Sequence, residues 1–189
     1  MNDGHMSLWS EVFSTDPEYT KSYQGAGGFK GTAISSLYPI QRATQMFGPL
    51  GQGWGYEILA DEFIPGAPIL NETHGVIGNE QTHSLRIRVW ANWKGSTIAT
   101  IHYGLTPHIY SNKYGVQTDH EAQKKSLTDA LKKALTMWGF SADVYMGLHD
   151  DPDYLRSISN EYAVAKSDDQ AGAMVKQAIE YNDWTIKTA

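Results

Sequence analysis

Thr118-Asp-His-Glu-Ala-Gln-Lys-Lys-Ser-Leu-Thr-Asp-Ala-Leu-Lys-Lys-Ala-Leu-Thr-Met-Trp-Gly-Phe140 reads as one well-marked helix. Thr118 and Glu121 have the spacing of a capping box, and Asp119 adds negative charge to the first turn. Gly139 is a natural stop. Leu127, Leu131, Ala134, Leu135 and Trp138 recur at three- and four-residue steps and share one face. At about 100° per residue, Lys125 and Lys132 fall together on the far side from that stripe. Lys133 lies about 100° round from Lys132, and Lys124 sits nearer the apolar border. Such a helix can pack on a sheet and still offer charge to a polyanion. The plainer alternative is a solubilising lysine face.

Upstream, the periodicity changes from helical to alternating. Gly53 to Ile64 predicts a strand, which Pro65-Gly-Ala-Pro68 should break. Residues 69–81 read as a poor edge strand or a loop. His83 to Trp93 predicts a strong strand, with Leu85, Ile87, Val89, Ala91 and Trp93 on one face and Arg86, Arg88, Trp90 and Asn92 on the other. Lys94-Gly95 is a tight hairpin turn, and Ser96 to Leu105 returns until Pro107 ends it. Further upstream, 7–14 and 36–47 predict helices, the second with Leu37, Ile40, Ala43, Thr44 and Phe47 facing one way. The order implies an α+β fold: an antiparallel βββα core with helices on one face.

The chain of 189 residues fits one domain with a tail. Residues 1–6 read as a tag remnant or disordered start, 7–158 as the folded domain and 159–189 as an acidic C-terminal tail. In that tail Ser167 to Tyr181 predicts a helix with an Ala171, Met174, Val175, Ala178 and Ile179 stripe, and Pro152 to Ser157 a shorter one. No apolar run approaches 18 residues, so no membrane-spanning helix is expected. The absence of cysteine excludes disulfides, thiolate catalysis and cysteine–metal sites, and fits a reducing, cytoplasmic setting. Net charge is −6, which by itself argues against nucleic acid. The distribution argues the other way. Residues 82–135 carry eight bases against three acids, while 149–189 carry eight acids against four bases. A basic middle on an acidic chain makes a local positive surface.

Tyr23-Gln-Gly-Ala-Gly-Gly-Phe-Lys-Gly-Thr32 puts glycines before Lys30, an arrangement that can cradle phosphate or serve as a loop or strand entry. It is neither a P-loop nor a dinucleotide fingerprint.

Thr128-Asp-Ala-Leu-Lys-Lys-Ala-Leu-Thr-Met-Trp-Gly139 resembles the helix motif of the Rad-fifty-two/ERF superfamily of single-strand annealing proteins. Gln24-Gly-Ala-Gly-Gly28, Ala43-Thr-Gln-Met-Phe-Gly48 with Gly53-Trp54, Tyr103-Gly104 and Asp153-Tyr-Leu-Arg-Ser157 resemble other segments of that family, in the same order. The resemblance implies a βββα fold that assembles into rings or helical filaments, with single-stranded DNA in an outer positive groove. It implies DNA contacts at Lys132 and Lys133, and at Lys113, which falls where the family has another lysine. The chain departs from the family pattern at Thr136 and Tyr38, where arginines are expected, so its groove is less basic or differently arranged.

A single strand needs cations for its backbone and flat groups for its bases. Lys30, Arg86, Arg88, Lys113, Lys132 and Lys133 are the candidate cations; Tyr38, Trp90 or Tyr114 are the candidate stacking groups. Trp54, Trp93 and Trp138 read as packing residues. Annealing requires no cofactor, because each base-pair step formed contributes roughly 1.4 kcal/mol, and no Walker motif is present. The expected function is ATP-independent strand annealing in homologous recombination, in the cytoplasm of a bacterial host, for a phage or bacterial protein. Expected partners are single-stranded DNA, further copies of the chain, and a single-strand binding protein or nuclease reached through the tail. Two alternatives stand beside it: a non-enzymatic assembly module, and a metal-dependent nuclease using His149-Asp150-Asp151-Pro-Asp153 as a cation site.

Overall fold

The computed structural model describes residues 3–28, 30–71 and 73–188, with side chains described through Met174 apart from those of Asp3 and Ala26. The fold is α+β, and the chain divides into two compact units, residues 1–13 with 35–142 and residues 14–34 with 143–189.

The first unit is a four-stranded antiparallel sheet carrying a helix layer. Its strands β3 (Trp54–Asn71), β4 (Gly75–Trp93), β5 (Ser96–Asn112) and β6 (Gly115–Thr118) pair in that order. (The strands β1 and β2 belong to the second unit.) Leu85, Ile87, Val89 and Ala91 of β4 point inward and are buried, as their alternation predicts. Lys94 and Gly95, at φ 47° and 80°, form the two-residue turn that the strand twist favours.

Two expected breaks are not breaks. β3 runs through Pro65 and Pro68 because it is an edge strand, and register shifts between Ile58 and Ala60 and between Pro65 and Pro68 absorb the missing N–H donors. β5 runs through Pro107, where β4 shifts register between Gln81 and Thr82 and where β6 has not yet begun to pair. The stretch 69–81 is therefore the tip of a long hairpin, and β6 is a strand that its four residues did not announce.

Three helices complete this unit: α1 (Ser7–Val12), α2 (Tyr38–Phe47) and α3 (Ala122–Thr136). Residues 3–6, set aside as a tag remnant, form a turn of 3-10 helix before α1. The expected capping box is absent, because Thr118 still belongs to β6 and α3 starts four residues later. Asp119 serves the helix start instead, its carboxylate accepting from the Glu121 amide at 2.9 Å. Gly139 ends the segment at φ 103°. Leu131, Ala134 and Leu135 are buried as predicted, with Leu127 and Trp138 half-buried beside them. A second buried row, Ala122, Ser126 and Ala130, lies against β5. There the helix backbone rides on Gly104, where an added Cβ would stand 1.8 Å from the Ser126 carbonyl oxygen. The Ser126 hydroxyl is satisfied in this buried seam by Thr106 Oγ1 at 2.9 Å.

On α2, Ala43 and Phe47 are buried as expected, while Leu37 is 70% exposed and Tyr38 and Pro39 turn inward in its place. Phe47 is an aromatic hub, packed on Trp93, Trp138 and Phe140 at ring separations of 6.1, 5.9 and 5.8 Å. The turn after it needs glycine at position 53, where a Cβ would lie 1.5 Å from the Phe47 carbonyl oxygen.

The second unit holds the hairpin of β1 (Thr20–Gln24) and β2 (Lys30–Ile34), the short helix α4 (Ala142–Tyr145) at its border, and α5 (Pro152–Thr188). The two helices expected after residue 150 are one. Ser167 does not cap, because its hydroxyl donates back to the Val164 carbonyl within the continuous helix. Met174 is 71% exposed, and the rest of the predicted tail stripe from Val175 lies outside the described side chains. No helix among the described residues is long and apolar enough to cross a membrane.

Buried Asp143 joins this unit together. It accepts from the Thr15 amide at 2.8 Å and hydroxyl at 2.7 Å, from His149 Nε2 at 2.9 Å and from the Tyr154 hydroxyl at 3.0 Å. Burial alone would push its carboxyl up, but the donated bonds from His149 and Thr15 outweigh it and hold the group below the usual carboxylate range. Burial, with the Asp143 charge close by, pushes the Tyr154 hydroxyl up.

Two outcomes are expected. Gly104→Ala lowers stability by about 1–3 kcal/mol or more through overpacking, whereas Gly78→Ala, with open space at its Cβ, leaves the denaturant midpoint within about 0.5 kcal/mol. Because the Asp143 carboxyl is depressed in the folded state, its contribution is present above the unfolded value near 4 and is lost as pH falls through the folded value. Asp143→Asn should therefore destabilise the chain at pH 7 and flatten the acid limb of a stability–pH profile followed by circular dichroism.

Candidate nucleic-acid interface

The seven expected site residues occupy four separate places. Lys132 and Lys133 lie on the solvent side of α3. Arg86 and Arg88 lie on the opposite face of the sheet, turned away from α3 like the other outward residues of β4. Lys113 sits at the β5–β6 turn. Lys30 opens β2 in the second unit. Tyr38 is 4% exposed, so its ring is an interior packing group and not an open stacking surface.

On α3 the cations divide by their partners. Lys133 Nζ is held by Asp129 at 2.9 Å, one helical turn back. Lys124 is bridged to Glu121 at 3.1 Å and Lys125 to Asp119 at 2.6 Å. The Lys125 bond, with the Glu121 amide behind it, holds the Asp119 carboxyl below the usual range, and the Asp119 bond pushes the Lys125 ammonium up. No printed ion pair engages Lys132. Together with Lys124, Lys125, Ser36, Thr128 and Asp129, it lines a depression of about 330 Å³. The spacing was legible: Lys124, Thr128 and Lys132 recur every four residues, so they stack along one ridge. What the pattern lacked was Ser36, which α2 brings to the rim.

At the β5–β6 turn, the Lys113 ammonium stands 4.9 Å from the centre of the Tyr114 ring, and Tyr114 is 78% exposed. A cation over an open aromatic face is suited to a phosphate and its neighbouring base. On the outer sheet face, Arg88 pairs with Glu57 at 3.2 Å across β3 and β4. Arg86 lies in register with Tyr103 of β5. Ile101, Tyr103 and Leu105 follow one another along that face, 54%, 48% and 56% exposed. Trp90 covers Gly55, where a Cβ would stand 2.9 Å from its ring.

In the second unit, Lys30 lines a pocket of about 650 Å³ with Ser22, Gln24, Thr32, His149 and Asp150. The glycines beyond form the end of the β1–β2 hairpin, Gly27 and Gly28 having φ 72° and 82°. The acidic cluster after 148 is divided between tasks. His149 turns inward to Asp143, Asp150 accepts from the Thr32 hydroxyl at 3.0 Å, and Asp151 caps α5 through the Asp153 amide at 2.8 Å. Among the described residues no group of three or more histidines and carboxylates is arranged to hold a metal ion.

A helix of lysines laid over a three-strand meander, entered through a glycine-bounded turn, has a counterpart among known families. A family model described as Rad52/22 family double-strand break repair protein matches residues 13–160. The chain belongs to this family. No curated protein matches it individually. Membership of the Rad52/22 family assigns the chain to DNA repair and recombination, and the matched span includes both units and every site residue named above.

The two lysines of the pair should differ in their effect on the fold. Lys133→Gln removes an i,i+4 ion pair and should cost about 0.3–0.5 kcal/mol in urea denaturation. Lys132→Gln, with no pair to lose, should leave the midpoint unchanged.

Proposed function

We propose that this protein binds single-stranded DNA and anneals complementary strands without nucleotide hydrolysis, acting as a self-associated ring or filament. The observation that carries this reading is the α3 groove, where Lys124, Lys125 and Lys132 converge beside two hydroxyl side chains in a chain of net charge −6. A groove of lysines contacts backbone phosphates and leaves base edges exposed, which is what pairing with a complement requires. The Lys113–Tyr114 turn adds a stacking surface, and Lys30 a further cation. The energy of pairing supplies the drive, at roughly 1.4 kcal/mol per step. Lysine-rich solvent-facing helices are common in proteins with no polyanion ligand; the family favours the nucleic-acid reading over that one.

Self-association rests on a different surface. Ile101, Tyr103 and Leu105 form an apolar strip on the open sheet face, with Arg86 among them. Such a strip favours burial against another chain. The exposed stretch of α5 from Ser159 onward, half-buried only at Tyr162 and Lys166 through Met174, is left for a protein partner such as a single-strand binding protein or a recombination nuclease.

The test is annealing of two complementary oligonucleotides followed by fluorescence quenching, without ATP and without added metal. The protein should accelerate annealing well beyond the protein-free rate and shift a short single strand at low salt. A folded sample that does neither returns the lysine face to solvated surface. Ile101→Glu should lower the mass of the assembly in light scattering; an unchanged mass would place the contact elsewhere.

A further inference from the structure

We infer that the phosphate seat on α3 is formed by Lys124, Lys125 and Lys132 with Ser36, and that Lys133 acts on it only by neutralising Asp129. The inference rests on the nucleic-acid reading above and assigns that groove a particular set of contacts. The adjacent lysines 132 and 133 look equivalent in sequence, yet they point about 100° apart on the helix. Lys132 lines the depression and Lys133 does not, while Asp129 does. A bare carboxylate in a seat for phosphate would repel it. Lys133, 2.9 Å from that carboxylate, cancels the charge from the side.

The other two lysines are present but engaged. Lys125 is held by Asp119 at 2.6 Å and Lys124 by Glu121 at 3.1 Å. A strand entering the groove competes with these carboxylates for both ammonium groups. Lys125 and Lys132 are seven residues apart, about 10 Å along the axis. At about 3.4 Å of axis per phosphate in a stacked strand, that distance spans two or three phosphates. Asp119 is therefore a restraint on binding as well as a support for the helix start. Asp119→Asn keeps an oxygen for the Glu121 amide while releasing Lys125.

Affinity for a thymidine oligonucleotide, measured by fluorescence anisotropy between 50 and 300 mM salt, tests both statements. Lys125→Gln and Lys132→Gln should each weaken binding about fivefold at 0.1 M salt and lower the log–log salt slope by about 0.7. Asp119→Asn should tighten binding, whereas Asp153→Asn, an equal charge change on α5, should have little effect. Lys133→Gln should weaken binding, and Lys133→Gln with Asp129→Asn should restore it to the wild-type value. If that double variant stays as weak as Lys132→Gln, Lys133 contacts phosphate directly and the assignment is overturned. Wild-type binding that ignores Lys125→Gln and Lys132→Gln removes the seat but leaves the function; a wild-type protein that binds no strand at low salt removes both.

Discussion

The contact of α3 with β5 at Gly104 governs the first unit. Two backbones meet there without a side chain between them, and the residues on the helix side, Ser126 and Ala130, are small and buried. This closeness brings Leu131 and Leu135 into the same buried cluster as Leu85, Ile87 and Val89. Each such side chain, fully buried, is worth about 1.5–3 kcal/mol. The same contact fixes the rotation of the helix about its axis. Once the small-residue row faces β5, Lys124, Lys125 and Lys132 have only solvent to face. A side chain at position 104 would lift the helix and turn the lysines with it, so stability and surface charge have one structural origin.

The electrostatics of that surface depend on local pairing more than on net charge. At physiological ionic strength exposed charges are screened beyond roughly 8–10 Å, so an acidic chain can still hold a cationic groove. Within the groove, each carboxylate has a distinct effect. Asp129 is cancelled by Lys133, Asp119 holds Lys125, and Glu121 holds Lys124. These exposed pairs contribute little to stability. Their larger consequence is in which ammonium groups are available to a ligand.

The second unit relies on the opposite arrangement. Asp143 is fully buried, and every acceptor position described for it is taken up by Thr15, His149 or Tyr154. A charge so placed is tolerated only while its partners remain, which links a residue near the start of the chain to the helix after residue 150. At the surface, Lys166 adds ion pairs to Asp16 at 2.8 Å and Glu18 at 2.6 Å. Those hydrogen bonds push the Lys166 ammonium up.

The sequence by itself determined the α+β class, the strands on either side of Lys94-Gly95, the buried stripe of α3 and the family. These follow from local periodicity and turn chemistry, which operate over a few residues. It misplaced what depends on neighbours distant in the chain. Pro65, Pro68 and Pro107 read as breakers because a sequence does not reveal which strand edge faces solvent. Thr118 read as a cap because nothing local announced β6. Tyr38 read as a stacking group, although packing drew it inward. Only the tertiary structure decided which of the lysines share a groove, since that depends on the rotation of α3 at Gly104, on the carboxylate each ammonium finds, and on Ser36 being delivered to the rim by a different helix.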